Sequence, residues 1–397
     1  MATFSVRFLG CKVSHTDAQF VRERLLEDGH SEAGDAADVA VVNTCCVTHE
    51  AVRKSRHAAA RAARTHGRVY VTGCGANLAP GTFDGLPGNV VVIAERSEDT
   101  PAIVAGDVGA IGCVQAAARL DRVRAFVKIQ DGCSFSCNFC VIPLVRGASR
   151  SRAASAVLSE VERRVGQGHR EVVLTGINLG CYRDREAGYR LAQLVREVGA
   201  TSGLARLRLS SIEVNHVNDE LVAALRETPT VSRHLHVPLQ SGDDEVLRDM
   251  ARRYTAAGYL ARVASLRHDF NLTTDVIVGF PTETDRAFRK TLTVVGEAGI
   301  TKVHVFPYSP RPGTKTAARD PVPARVKRER SALLRAASRD ASLARWRAKL
   351  GTEDIVLVDR PGRGYGDDYS PWLVDAPIGE LVRVRAGAVC EEGILAA

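Results

Sequence analysis

The sequence predicts an α/β protein in three parts. These are an N-terminal doubly wound parallel-sheet domain (residues 1–115), a central partial (β/α)6 barrel (119–345) and a small C-terminal β-barrel-like module (350–397). Three observations carry this reading. Short apolar strand patterns alternate with helical ones up to about residue 115, a second alternating series of six units follows, and after Gly351 the pattern turns to short β-type runs broken by Gly and Pro. Strands separated by helices imply parallel sheets with covered faces, whose ligands collect at the carboxyl ends of the strands.

In the first part, Phe4–Leu9, Val39–Asn43, Arg68–Thr72 and Val90–Ile93 read as strands, and Asp17–Asp28 and Ala51–His66 as helices. Cys11 follows the first strand, Cys45 and Cys46 the second, and Cys74 the third. A polar, Ala-rich linker is expected from Gly106 to Arg122. The second series comprises Ala125–Gln130, Glu171–Thr175, Arg206–Ser210, His234–Leu239, Thr273–Val278 and Lys302–Phe306, with Ser155–Val165 and Glu245–His268 the clearest helices. Six units are too few for a closed eight-fold barrel and imply an open one, with functional residues on the strand-to-helix loops. A long amphipathic helix is expected over Arg325–Lys349. The last part offers the runs Ile355–Val358, Trp372–Val374 and Leu381–Arg385.

With 397 residues, 45% apolar and 25% charged, the chain has ample material for cores. It has no apolar run long enough to span a membrane and no signal-peptide pattern at its start, so a cytoplasmic protein with no membrane partner is expected. Lys plus Arg is 54 against 46 acids, and only eight of the 54 are Lys. Guanidinium forks suit phosphate oxygens, which favours a nucleic-acid partner. In Arg311–Lys349 the balance is 12 basic to 3 acidic residues, whereas residues 350–397 hold nine acids and four Arg.

Ten cysteines in a chain expected to meet a reducing compartment point to metal binding, catalysis or inert burial rather than disulfides. The strongest motif is Cys133-Ser-Phe-Ser-Cys137-Asn-Phe-Cys140, directly after a strand. Structural zinc prefers four closed ligands. Three thiolates on an iron–sulfur cluster leave one iron open for a substrate or cofactor. The bland alternative is three small core side chains.

This CxxxCxxC motif, with Phe139 before its last Cys, resembles that of the radical S-adenosylmethionine superfamily, whose fold is the partial six-unit barrel. Along nearly the whole chain the resemblance narrows to the methylthiotransferase family. Leu9-Gly-Cys-Lys-Val13, Asn43-Thr-Cys45 and Val71-Thr-Gly-Cys74 match that family's ligands for a second 4Fe-4S cluster. The motifs Lys128–Cys133, Leu174–Ile177, Ser210–Glu213 and His234–Gly242 look most like the enzymes that modify threonylcarbamoyladenosine in tRNA. Other members act on isopentenyladenosine in tRNA or on a ribosomal protein side chain. Two departures stand out: Cys45-Cys46 replaces the usual Cys-Thr, and Ser14 replaces an Asn. Register assigns Cys45 as the ligand, with Cys46 the alternative.

The resemblance implies two 4Fe-4S clusters, on Cys11, Cys45 and Cys74 and on Cys133, Cys137 and Cys140, with S-adenosylmethionine at the open iron of the second. The cofactor yields a radical that abstracts hydrogen from adenine C2 at position 37 of the anticodon loop, and a methylthio group is inserted there. The implied partners are tRNA, an electron donor such as flavodoxin or ferredoxin, and an unidentified sulfur donor. The resemblance also supplies cofactor contacts. Phe139 adjoins the cluster, and Thr175-Gly176 receives the amino group. Glu213 accepts the ribose hydroxyls or is an exposed loop acid. Gln240, with Ser241, contacts the cofactor or caps the following helix. Val278-Gly279 lets backbone approach the adenine or simply ends a strand. Tyr308 stacks on the target base or packs in its Pro-rich turn, and His234 and His236 line a cavity or sit in the core. The last module resembles the RNA-binding TRAM domain. Cys113, Cys181 and Cys390 are expected to be inert. A rival from another class is a non-catalytic, metal-stabilised RNA-binding protein.

Overall fold

The computed structural model describes residues 1–34, 36–95, 98–110 and 123–397. Cys113 and most of the expected linker lie outside the described residues; the linker's first residues close a helix, Thr100–Val108. Two compact units emerge. One takes in residues 1–121 with 131–149 and 309–317, and the other 122–130, 150–308 and 318–397.

The first unit is built on a five-stranded parallel sheet with the spatial order Ser31–Glu32, Thr3–Phe8, Val39–Thr44, Arg68–Gly73, Val90–Val92. Alternation along the buried strand Val39–Thr44 explains the two layers. Val39 and Val41 join Phe4, Leu25 and Val104 on one face, while Ala40 and Val42 join Ala59, Val71 and Phe83 on the other. The strand order 2-1-3-4-5 reverses direction between Thr3–Phe8 and Val39–Thr44, and ligands of such sheets bind outside the carboxyl ends at that switch point. Cys11 and Cys45 flank it.

The second unit carries six parallel core strands: Arg124–Lys128, Glu171–Thr175, Arg206–Leu209, His234–His236, Asn271–Val278 and Ile300–Pro307. The first three and last three pair as two ladders, bridged at Leu207/Val231 and Ser211/His236. One side of each strand (Val127, Leu174, Leu207, Leu235, Val276, Val303) packs into the large apolar core beneath the helices. The opposite side carries most of the polar strand residues, among them Lys128, Thr175, Arg208, His236, Asp275 and His304. The expected helix over Glu245–His268 is two helices, Asp244–Asp249 and Ala256–Ala264. Ala251 sits at φ 58°, the Arg252 amide turns back to the Leu247 carbonyl, and Thr255 caps the second helix by accepting from the Gly258 amide. Periodicity alone did not reveal this break. The long helix spans Ala324–Arg347.

The C-terminal module is a closed barrel in the order Glu353–Arg360, Arg363–Tyr365, Pro371–Leu373, Gly393–Ala396, Leu381–Cys390, around Val356, Trp372 and Ile394. Its segment 365–369 packs against the amino ends of the first three core strands. There Arg124, Arg206 and Arg208 surround Glu171, and Tyr369 lies 4.8 Å from the Arg208 guanidinium. No described helix is long and apolar enough to cross a membrane.

Candidate functional site

In the first unit, Cys11 is exposed at the N-cap of the helix Lys12–Glu27, and Cys45 and Cys74 are buried just past their strands. Gly10, at φ 130°, leaves the space into which Cys45 projects: a Cβ there would lie 3.2 Å from the Cys45 Cβ and 3.4 Å from its Sγ. The Cys45 amide donates to Ser55 Oγ at 3.1 Å. Thr44 Oγ1 donates to the Thr72 carbonyl at 2.6 Å and accepts the Ala76 amide at 3.1 Å, locking the Cys45 and Cys74 turns together.

Burial pushes the Cys45 thiol up to about 11, with Cys74 and Cys11 adding to the shift. Cys46 is fully buried in an apolar cluster with Val141 and Val145. Its thiol is shifted upward because it bonds to Cys74 and is desolvated. Cys74 is pulled the other way, first by Cys46 and then by Arg146. Cys46 and Cys74 thus share one apolar cluster, and Cys45 feels the charge of both Cys74 and Cys11.

The loop Cys133–Cys140 belongs to the same unit. Gly132, at φ 68°, admits no side chain, since a Cβ would lie 2.1 Å from the Ala148 carbonyl oxygen. The Cys133 amide donates to the Gly147 carbonyl at 3.0 Å. The Cys140 amide donates to the Cys137 carbonyl at 3.1 Å, closing a turn between the two cysteines. The Phe135 amide donates to Cys133 Sγ at 3.4 Å, and the Asn138 carbonyl beside the half-buried Phe139 accepts from Thr316 Oγ1 at 3.0 Å. All three thiols are partly exposed. Among the described residues no three His, Cys, Asp or Glu are gathered as for a single metal ion. A cubane of four irons is wider than one ion; the thiols that could hold one are three on separate turns, Cys11, Cys45 and Cys74, and three on a single loop, Cys133, Cys137 and Cys140.

In the second unit the loops after the core strands hold the other expected residues. Gly176 passes against Gln130, where a Cβ would lie 3.0 Å from the backbone oxygen, and Gln130 Oε1 accepts the Asn178 amide at 2.8 Å. The buried Thr175 Oγ1 and Ser210 Oγ have no hydrogen-bond partner among the described residues, an arrangement that suits a polar ligand. Glu213 is not an exposed loop acid: it is largely covered and paired through Oε1 with Arg252. Burial raises its carboxyl, and Arg252 opposes the shift.

Gln240 does not cap the following helix. Asp243 does so, accepting from the amides of Glu245 at 3.0 Å and Val246 at 3.1 Å. Gln240 instead sits at φ 65°, held by bonds to the Asp275 carbonyl and from the Ile277 amide. A left-handed non-glycine residue fixed this way stores strain of about 1–3 kcal/mol, a common mark of a ligand-contacting turn. Gly279, at φ 73°, gives its amide to Glu283 Oε1 at 2.8 Å, and the stem of Lys327 passes where a Cβ would stand. The Val278 carbonyl accepts the Tyr308 amide at 2.8 Å.

Tyr308 is 5% exposed, set edge-on to Phe280 at 5.3 Å, so it packs rather than presenting a stacking face. Phe306, at 38% exposure on the inner side of the last core strand, is the available aromatic. Sequence reasoning passed over it, although strand alternation from the buried Val303 would have flagged it. His234 and His236 both bond Thr273 Oγ1, at 3.0 and 2.9 Å, and His236 Nε2 is 3.2 Å from Asp275 Oδ1. Cys181, expected to be inert, has its Sγ 3.4 Å from His216 Nε2.

Residues 127–295 match the family model described as the Radical SAM superfamily, and residues 3–94 match Uncharacterized protein family UPF0004. The chain is 33% identical to the threonylcarbamoyladenosine tRNA methylthiotransferase MtaB of Thermotoga maritima, over 100% of this chain and 96% of that one. The chain belongs to the radical S-adenosylmethionine methylthiotransferase family. MtaB of Chlamydia pneumoniae shares 34% identity over 99% of this methylthiotransferase and 97% of its own length. The tRNA-2-methylthio-N(6)-dimethylallyladenosine synthase of Novosphingobium aromaticivorans shares 34% over 96% and 94%. Among solved structures, the radical S-adenosylmethionine methyltransferase TsrM from Kitasatospora setae superposes with a TM-score of 0.59 at 14% identity. That match covers 79% of the methylthiotransferase and 76% of TsrM, a likeness of fold. The methylthiotransferase is a transferase that uses 4Fe-4S clusters and S-adenosylmethionine.

Proposed function

We propose that this enzyme converts N6-threonylcarbamoyladenosine at position 37 of tRNA to its 2-methylthio derivative. The observation that carries the reading is a full-length likeness to MtaB enzymes in a chain whose six cysteines fall into two sets of three at loops that follow strands. In this reading Cys11, Cys45 and Cys74 hold one cluster and Cys133, Cys137 and Cys140 the other, with an open iron for S-adenosylmethionine. When bound, the second cluster supplies the electron that cleaves the cofactor. The domains run 1–115, 119–345 and 350–397.

The chain's own residues orient the cofactor. Thr175 and Gly176 meet its amino end, with the unsatisfied hydroxyls of Thr175 and Ser210 as polar partners. Glu213, fixed through one oxygen by Arg252, turns its other oxygen to the ribose diol, and Phe139 flanks the cluster. Gln240 and the backbone of Val278 and Gly279 contact the adenine by packing, because the Gly279 amide and the Val278 carbonyl are already bonded. A threonylcarbamoyl group carries a carboxylate and a hydroxyl, and an isopentenyl group neither. The inner wall with Lys302, His304, His236 and Asp275, below the exposed Phe306, matches the polar group better.

The test is expression in a host lacking its own enzyme, with mass spectrometry of tRNA nucleosides. The 2-methylthio derivative of threonylcarbamoyladenosine is expected. Methylthiolated isopentenyladenosine instead would reassign the substrate, and neither product from cluster-loaded enzyme would remove the reading.

tRNA contact is assigned to the helix Ala324–Arg347. Arg345, Lys327 and Arg330 are occupied by Asp368, Asp320 and Glu283, but Arg328, Arg335 and Arg339 are exposed on one helical face without an ion-pair partner among the described residues. Replacing all three by Gln is expected to weaken tRNA binding roughly ten- to hundred-fold at low salt. It should also flatten the log affinity against log salt slope by about two to three, read by filter binding. An unchanged slope would move the contact elsewhere. The tRNA substrate supports a cytoplasmic enzyme, served by an electron donor such as flavodoxin or ferredoxin and by an unidentified sulfur donor.

A further inference from the structure

We propose that Arg146 is a positioning residue that sets the reduction potential of the cluster held by Cys74. The inference rests on the reading that Cys11, Cys45 and Cys74 are cluster ligands. Arg146 follows the Cys133–Cys140 loop at the end of the short helix Ile142–Arg146, and its side chain is 4% exposed. Nε donates to Cys74 Sγ at 3.1 Å. Nη1 reaches both oxygens of Asp131, at 3.0 and 3.1 Å, and Nη2 donates to Asp17 Oδ2 at 2.8 Å.

A guanidinium is planar and permanently charged, so two buried carboxylates holding its outer nitrogens also aim its Nε–H. That N–H points at the Cys74 sulfur. Hydrogen bonds to cluster sulfurs are among the determinants of iron–sulfur potentials. A donor and a fixed positive charge at a ligand thiolate favour the reduced, more negative cluster, which raises the potential. Removing Arg146 takes away the N–H and also leaves Asp17 and Asp131 uncompensated, and both effects drive the potential down. The arrangement further ties the segment after Cys140 to the loop carrying Cys74, so one side chain braces both cysteine loops.

The experiment is an EPR-monitored redox titration of the reconstituted full chain carrying Cys133→Ala, Cys137→Ala and Cys140→Ala, so that one cluster titrates. It is then repeated with Arg146→Lys, Arg146→Gln and Arg146→Met. With about four irons retained per chain, the potential is expected to shift negatively. The shift should be smallest for Lys, which keeps the charge but cannot span all three partners, and largest for Met. Should the Met variant lose its iron, the Lys and Gln variants decide on the same readout. Four irons with an unchanged potential would overturn the role of Arg146 and leave the ligand assignment standing. No iron in the triple-alanine background would overturn the ligand assignment and this proposal with it.

Discussion

Anaerobically reconstituted protein is expected to carry about eight irons and eight sulfides per chain, falling to about four in a Cys133→Ala/Cys137→Ala/Cys140→Ala variant. Independence of the two sets follows from their origins in the chain. Cys11, Cys45 and Cys74 are fixed by turns after three adjacent parallel strands, and the Cys45 and Cys74 turns are bonded to one another through Thr44, Thr72 and Ala76. Cys133, Cys137 and Cys140 share one loop, folded by its own bonds to Gly147 and within Cys137–Cys140. Deleting the second set therefore leaves the framework of the first intact. Four irons in the wild type and none in the variant would leave a one-cluster radical enzyme and remove the sulfur-carrying role of the first set. Zinc in place of iron would overturn the enzyme reading itself.

The largest effect on stability is expected at Glu171. Its carboxylate is the central negative charge among two buried guanidiniums and one half-buried one, accepting from Arg208 Nε at 2.8 Å and Arg206 Nη1 at 3.2 Å, with the half-buried Arg124 Nε 4.0 Å away. The remaining donors are spread over the C-terminal module. Arg208 donates to the Gly366 carbonyl at 2.7 Å and Arg124 to Asp359 at 2.8 Å, and the stacked rings of Tyr365 and Tyr369 lie against the cations. Glu171→Gln leaves uncompensated buried charge, which costs about 3–5 kcal/mol. The exposed pair Glu353–Arg383 provides the control: Glu353→Gln should change stability by less than about 0.5 kcal/mol.

Trp372 lies in the module's core and the half-buried Trp346 of the long helix packs against it, so tryptophan fluorescence in a urea titration reads the module's release. Burial alone would raise the Glu171 carboxyl, but Arg208, Arg206 and Arg124 hold it below the usual carboxylate range. A carboxylate with a lowered native pKa contributes stability above its unfolded value, near 4, and loses that contribution as the pH falls through the native one. The gap between wild type and Glu171→Gln should accordingly be full at pH 7 and close in acid. A gap that does not change with pH would show that Glu171 acts through shape rather than charge.

The sequence by itself determined the six core strands, the parallel N-terminal sheet and the cysteine-bearing loops. These rest on local information: apolar periodicity marks strands between helices, and the Cys133–Cys140 spacing is a property of one short segment. Tertiary structure alone decided the rest. It broke the expected helix Glu245–His268 at Ala251, because the chain must turn there for Arg252 to reach Glu213. It also buried Tyr308 and exposed Phe306, since packing against Phe280 depends on a strand distant in sequence. Arg146 and Glu171 read as ordinary charged residues in the sequence. Their roles come from partners far away along the chain, Asp17 and Cys74 for one and Arg206, Arg208 and Arg124 for the other. Buried charge is tolerated only where folding brings its counter-charges together, and no local pattern records that meeting.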